Sequence, residues 1–281
     1  MSVFSSLSFS GNSIFDPVKF DPVKKELNNR MKKTIVCLTA VFLFAAAGCS
    51  CSPPARGVRI MTYNIRNGIG MDDVRDIDRV AGVIKKENPD IVALQEIDSV
   101  THRVAGAFIL EELSTRCGLF YTYASALPFD GGKYGIGLLS KERPVSEETV
   151  ALFGREEERV LQVTEFEHYA VYHTHFSLTK EDRLASVEIV LNKAKESRKP
   201  VFFVGDLNCE YLSDEQERVR TAFAVLNDPL QNTFPADNPG VCIDFIYGQR
   251  AYMDAQSVVS RRVVENGVAS DHRPVVVEVR F

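Results

Sequence analysis

A chain of 281 residues with 45% hydrophobic content and a formal net charge of −5 can bury one large core or two small ones, and reads as globular. The charge is uneven: residues 57–281 carry 26 Lys+Arg against 35 Asp+Glu, a net of −9. So acidic a body lacks the overall basic footprint of a protein that grips long nucleic acid by its phosphates, and only a local basic patch would supply one.

Met31 to Ala47 departs from the globular pattern. Met31-Lys32-Lys33 precedes the apolar run Thr34 to Ala47 and then Gly48-Cys49-Ser50. A short basic start, an apolar stretch of roughly 7 to 15 residues and small residues before a cut site make a secretory signal, too short to span a membrane. Ala46-Ala47-Gly48-Cys49 resembles a bacterial lipobox, in which the cysteine becomes the lipidated first residue of the mature protein. Cys49 is therefore the expected lipidation site, and the expected location is that of an exported lipoprotein anchored to a membrane of the cell envelope. Because such a signal ordinarily opens a chain, residues 1–30 are read as an extension upstream of a start at Met31. The expected organisation is extension 1–30, lipoprotein signal peptide 31–48, tether 49–57 and one folded domain 58–281. Cys51, Cys117, Cys209 and Cys242 show neither a C-x-x-C pair nor zinc spacing, so they are read as small buried hydrophobes.

In the folded part, Val58, Ile60 and Thr62 alternate with Arg59, Met61 and Tyr63 in a strand that ends on Asn64. Gly68 and Gly70 make a turn. Ile77, Val80, Ala81 and Ile84 then recur at helical spacing until Asn88-Pro89 stops the helix. Ile91 to Leu94 form a buried strand, expected to end on Gln95-Glu96. Gly131 to Gly137 lack the order of a phosphate loop and a following helix, so they predict a hairpin turn feeding a strand over Ile136 to Leu139. Glu147-Glu148 and Arg155 to Arg159 read as solvated surface, and Val160 to Phe166 as an alternating strand.

The second half repeats the plan. Tyr169 to Phe176 is a strand, Thr179 with Asp182 can cap a helix carrying Leu184, Val187, Val190, Leu191 and Ala194, and Pro200 to Val204 is a strand buried on both faces. It stops at Gly205-Asp206-Leu207-Asn208. Asp206 and Asn208, two apart on extended chain, point the same way and can converge on one atom. Asn64 to Glu96 is 32 positions and His175 to Asp206 is 31. Two right-handed crossovers of equal length predict an α/β fold with two similar sheets facing each other, their polar strand ends lining one cleft. Farther on, Ser213 to Ala224 reads as a polar helix and residues 232–240 as a loop. Asp244 lies amid apolar neighbours in a strand over Cys242 to Ile246, where burial without a partner would cost several kcal/mol. Ser270-Asp271-His272-Arg273-Pro274 leads into the closing strand Val275 to Val279.

The ordered set Thr62-Tyr63-Asn64-Ile65-Arg66, Leu94-Gln95-Glu96, His173-Thr174-His175, Gly205-Asp206-Leu207-Asn208, Ile243-Asp244-Phe245-Ile246 and Ser270-Asp271-His272 resembles the endonuclease/exonuclease/phosphatase superfamily with the DNase I-like fold. The resemblance runs from about Arg59 to the C-terminus. It implies a four-layer sandwich, two facing mixed β-sheets flanked by helices, that hydrolyses a phosphate ester with Mg²⁺, for which Mn²⁺ can substitute. By motif position it implies that Glu96 is the metal carboxylate, supported by Asn64 and Asp271. Asp206 would orient or deprotonate the attacking water, Asn208 and His175 would hold phosphate oxygens, and His272, paired with Asp244, would bind the scissile phosphate. Mg²⁺ chemistry agrees with this division, since the ion takes few carboxylates while an in-line attack needs charge neutralised on the phosphoryl oxygens.

One departure stands out: many members have Asn-Thr-His where this chain has His173-Thr174-His175. By strand parity His173 faces the same side as His175, so it is expected either behind the site or in the cleft. A zinc reading of that His-x-His pair fails, because Ser177 and Leu178 stand where a further Asp-His would be needed. The expected activity is that of a phosphodiesterase or phosphomonoesterase on a small or lipid-headgroup phosphoester. An extracellular endonuclease or exonuclease acting on DNA or RNA is the alternative. A non-catalytic surface binding module is least favoured, since Glu96 and His272 are both present. The expected partners are the phosphoester and, through Cys49, a membrane, with the chain acting as a monomer.

Overall fold

The computed structural model describes residues 56–281. The extension 1–30, the signal 31–48, Cys49, Cys51 and most of the tether lie outside the described residues.

Twelve strands form two six-stranded sheets among these residues. In the first, β1 (Gly57–Asn64) runs parallel to β2 (Ile91–Ser99) and antiparallel to β12 (Val275–Arg280). Beyond these lie the hairpin of β3 (Phe120–Phe129) and β4 (Gly132–Ser140) on one side and β11 (Val258–Val263) on the other. The second sheet is centred on β7 (Ala170–His175) and β8 (Val201–Asp206), again parallel. It is flanked by β5 (Ser146–Leu152), β6 (Arg159–Glu165), β9 (Phe223–Val225) and β10 (Asp244–Gln249). Both parallel pairs are the expected crossovers, through α1 (Ile77–Glu87) and α3 (Lys180–Glu196). The helices α2 (Ile109–Cys117) and α4 (Asp214–Ala222) complete the outer layers.

Period-2 side-chain alternation explains why the central strands are apolar on both faces. In β1, Ile60 points into the core between the sheets with Ala93, Phe202, Val204, Ile246 and Val277. Its neighbour Met61 points out to Val80, Ile84 and Leu110 of α1 and α2. Phe203 does the same in the second sheet, meeting Val187 and Val190 of α3 and Val219 of α4. The four-layer sandwich implied by the motifs is thus the observed fold. Cys209 and Cys242 are buried free thiols within it, and Cys117 is half-buried and free.

Several local expectations need correction. The strand β2 does not end at Gln95-Glu96 but continues to Ser99 through a bulge, its partner stepping from Leu94↔Gly137 to Ile97↔Gly135. Glu96 itself takes a φ of 61°, the kind of irregularity that re-aims a side chain. Thr179 makes no side-chain cap on α3; Asp182 instead accepts hydrogen bonds from the Arg155 backbone N (2.8 Å) and guanidinium Nη2 (2.8 Å). Arg159 is not solvated surface: it opens β6 with only 6% exposed. The hairpin turn is Asp130 (φ 45°) and Gly131 (φ 79°) alone, and Gly132 to Gly137, expected within the turn, already belong to β4.

Gly205 is a glycine the site requires. Its φ is 147°, and a Cβ there would lie 1.9 Å from the Thr174 carbonyl oxygen of β7. Gly205→Ala should therefore destabilise the protein by about 3 kcal/mol or more, adding backbone strain to overpacking at an immovable neighbour. Urea denaturation checks this; a midpoint equal to wild type would contradict it.

Candidate active site

Strand pairing brings the polar ends together. His175 pairs with Asp206 across β7 and β8, and Asp206 pairs with Asp244 across β8 and β10. Three chemically active side chains therefore stand abreast on three adjacent strands. From the other sheet Asn64, the last residue of β1, spans the gap: its Nδ2 donates to Glu96 Oε1 (2.9 Å) and to Asp206 Oδ2 (3.2 Å). The loop before β12 is tied down by Ser270, whose Oγ donates to the Asn64 carbonyl (2.7 Å). That bond delivers Asp271 and His272 to the same end of the sandwich.

His272 sits between two carboxylates. Its Nδ1 donates to Asp244 Oδ2 at 2.9 Å, its Nε2 lies 3.6 Å from Asp206 Oδ2, and Phe234 packs 4.8 Å from its ring. Burial alone would lower its pKa, but Asp244 and Asp206 outweigh this and raise it to about 10, so the ring is an imidazolium at neutral pH. This is the partner that a buried Asp244 demanded. Asp206 is raised to about 7 by burial first and by Asp244, against the pull of His272. Its Oδ1 accepts from the backbone N of Asn208 (3.0 Å). Asp206, Asp244 and His272 each place one ligating atom within 4.8 Å of the others; the group could hold a cation only with His272 deprotonated, since both nitrogens of an imidazolium are donors.

His175 plays a different part. Burial, then Arg159, hold its pKa well below the ordinary value, so it is neutral. Arg159 Nη1 donates to His175 Nδ1 (3.1 Å), which leaves the ring proton on Nε2, 3.5 Å from Asp206 Oδ2. Arg159→Met should cost about 1–3 kcal/mol by leaving buried acceptors unmet. It should also turn the single His175 tautomer into a mixture, which ring ¹⁵N shifts report. A ring spectrum unchanged from wild type would remove Arg159 from the site.

The other expected residues are also accounted for. Asn208 does not continue the extended chain of Asp206 as expected: β8 ends at Asp206, Asn208 takes a φ of 48°, and its Nδ2 donates to the Phe176 carbonyl (2.9 Å) just past β7. His173 does not reach the cleft: it is fully buried, receives a hydrogen bond from Gln95 Nε2 (2.7 Å) and donates to Gln162 Oε1 (3.2 Å). Burial lowers its pKa to about 3. Asn64 Oδ1 accepts from the Arg66 backbone N (3.1 Å), so Asn64 turns its nitrogen to Glu96 and orients that carboxylate. Glu96 is raised in pKa by burial, with Asn64 opposing and Asp271 adding to the rise. Asp271 Oδ1 lies 3.2 Å from Ser270 Oγ, and its Oδ2 3.8 Å from Arg66 Nε.

Two features escaped the sequence reading. Arg159 hid in a charged run, and its only signal was its position at the head of an alternating strand. A cleft of about 450 Å³ opens beside Glu96, lined by Arg66, Asn67, Arg103, Phe129, Tyr134 and Glu157 among others.

A sequence profile described as the Endonuclease/Exonuclease/phosphatase family matches residues 61–272. No curated protein matches the chain. Among solved structures, the chain resembles an endonuclease/exonuclease/phosphatase from Beutenbergia cavernae DSM 12333, with a TM-score of 0.68 and 23% identity over 80% of this chain and 72% of that one. It also resembles an endonuclease/exonuclease/phosphatase family protein from Bacteroides thetaiotaomicron (TM-score 0.66, 16% identity, 81% of this chain, 96% of that one). A mannosyl-6-phosphatase from Bacteroides thetaiotaomicron VPI-5482 is similar in fold as well (TM-score 0.64, 17% identity, 80% of this chain, 100% of that one). With the profile spanning every site residue from Asn64 to His272, the chain belongs to the endonuclease/exonuclease/phosphatase family.

Proposed function

We propose that this protein is a metal-dependent phosphoesterase acting on a small or lipid-headgroup phosphoester. The observation that carries the reading is the convergence of Asp206 and Asp244 of one sheet with Asn64 and Glu96 of the other and with His272 of the loop before β12. In the reaction a water oxygen bonds to phosphorus as the ester P–O bond opposite it breaks, and the departing alkoxide takes a proton from solvent water to leave as the alcohol. Asp206, desolvated and near 7 in pKa, is placed to take the proton of the water. His272, cationic and fixed by Asp244, donates to a phosphoryl oxygen that gains charge. His175, neutral with its proton on Nε2, and Asn208 hold the remaining oxygens.

Burial first, and Asp271 in addition, disfavour ionised Glu96 in its partly buried setting, and oxygen donors of this kind suit Mg²⁺ or Mn²⁺. They would hold the ion, with Asn64 orienting Glu96. The chemistry such an ion supplies when bound is neutralisation of charge on the phosphoryl oxygens.

The test is hydrolysis by the purified protein of p-nitrophenyl phosphate, bis(p-nitrophenyl) phosphate, sphingomyelin, inositol phosphates, nucleotides and plasmid DNA, with and without EDTA. Metal-dependent release from a small ester supports the reading. Plasmid DNA as the best substrate replaces it with the nuclease, and activity that survives EDTA removes the metal.

A further inference from the structure

The cleft beside Glu96 contains a group that the reaction does not use. Asn67 is 3% exposed, and neither its Oδ1 nor its Nδ2 has a hydrogen-bond partner among the described residues. It stands in the left-handed region (φ 53°) on the turn that follows β1, a conformation asparagine tolerates. Buried carboxamides normally find partners, and one with both ends free on the wall of a cleft points to a ligand that satisfies them. A carboxamide offers a donor and an acceptor side by side, the complement of a hydroxyl group, which does both.

The rest of the wall decides what kind of ligand fits. Tyr134 and Phe129 pack against each other with centroids 5.9 Å apart, and the Arg103 guanidinium lies over both rings at 5.5 and 4.5 Å. Arg103 is in turn held by Asp98, its Nη2 donating to Oδ1 at 2.7 Å, so this wall is rigid and its cation is neutralised. Arg66 faces Asp73 (3.4 Å) and Asp271. Among the described residues lining the cleft, neither arginine lacks a carboxylate partner, and Glu157 is tied to Arg159 (3.2 Å). A second phosphate would find no free cation on this wall. A volume of about 450 Å³ falls within the range of roughly 300–1,000 Å³ of small-molecule sites.

On the phosphoesterase reading given above, we infer that this cleft is the leaving-group subsite, with Asn67 and Tyr134 selecting an uncharged polyhydroxy alcohol about the size of one sugar ring. The apolar edges of such a ring rest on Phe129 and Tyr134. Its hydroxyls pair with Asn67 and with the Glu157 carboxylate.

The experiment compares kcat/KM for hexose 6-phosphate with kcat/KM for phenyl phosphate, whose leaving group carries no aliphatic hydroxyl, at saturating Mg²⁺ or Mn²⁺. The ratio is measured for wild type, for Asn67→Gly, which keeps the backbone conformation, and for Tyr134→Phe, which removes one hydroxyl. Taking ratios cancels both the intrinsic reactivity of each ester and any general loss of activity. The ratio should fall about tenfold in Asn67→Gly and by a smaller factor in Tyr134→Phe, because a site built to pair hydroxyls discriminates through those pairs. Ratios equal to wild type in both variants overturn the subsite. So does a wild-type preference for 5′-AMP or an oligonucleotide over hexose 6-phosphate. Hydrolysis of phenyl phosphate or bis(p-nitrophenyl) phosphate without hexose 6-phosphate rejects the subsite while leaving the phosphoesterase intact. Failure on every ester with either metal rejects both.

Discussion

His272→Ala should lower turnover by about 10²-fold or more at saturating metal, as loss of a preorganised donor does, and should destabilise the fold by about 3–5 kcal/mol, as breaking a buried ion pair does. Both effects have one cause. His272 is the cation between Asp206 and Asp244, each of them 1% exposed; it pairs with Asp244 Oδ2, and Oδ1 has no partner among the described residues. Removing the imidazolium leaves two buried carboxylates facing each other. The proof lies in a double-mutant cycle followed by urea denaturation. Adding Asp244→Asn to His272→Ala removes one of the stranded charges, so the double variant should be more stable than His272→Ala alone. Strict additivity of the two losses would show that His272 and Asp244 do not act as a pair.

Glu96→Gln should have the second large effect, and of a different kind. The substitution keeps the shape and the backbone tolerance at φ 61° but removes one negative charge. Metal affinity should fall by about 10- to 100-fold or more, since altering a group that only orients a metal ligand already costs that much. Higher Mg²⁺, or Mn²⁺ with its tighter binding to oxygen and nitrogen donors, should restore part of the turnover. In metal-free buffer the variant should be no less stable than wild type, because Glu96 is a carboxylate whose ionisation burial already disfavours. The same titration on Asp244→Asn separates the two candidate cation sites. If the ion sits with Glu96 and Asp271, the metal midpoint moves in Glu96→Gln and stays in Asp244→Asn. If it sits among Asp206, Asp244 and His272, the reverse holds, and the assignment of Glu96 as ligand is withdrawn.

Much of the site was legible because its residues terminate regular elements. An apolar run with period 2 must end where the sheet meets solvent, so Asn64 after Met61-Thr62-Tyr63 and Asp206 after Phe202-Phe203-Val204 announced themselves. Asp244 was legible as a demand for a partner, since a carboxylate amid Cys242, Phe245 and Ile246 cannot stay buried unpaired. The structure answered with His272, 28 positions away. Glu96 was placed in the right region for an incomplete reason. Local pattern showed where Ile91 to Leu94 stopped being apolar, but the strand continues, and the bulge depends on pairing with β4.

By itself the sequence determined the crossover units, the buried faces of β1, β2, β7 and β8, and the ordered motifs that mark the family. The elements and each single motif depend on residues within a few turns or pleats of one another, where spacing alone sets direction, and the order of the motifs is read directly along the chain. Only the tertiary structure decided that Arg159 leaves a charged run to fix the proton of His175, that His173 lies beneath the site and outside the cleft, and that Asn67 lines a cleft with its carboxamide unpaired. Each of those depends on which groups from distant elements are close enough to exclude water, and desolvation, unlike periodicity, has no signature along a chain.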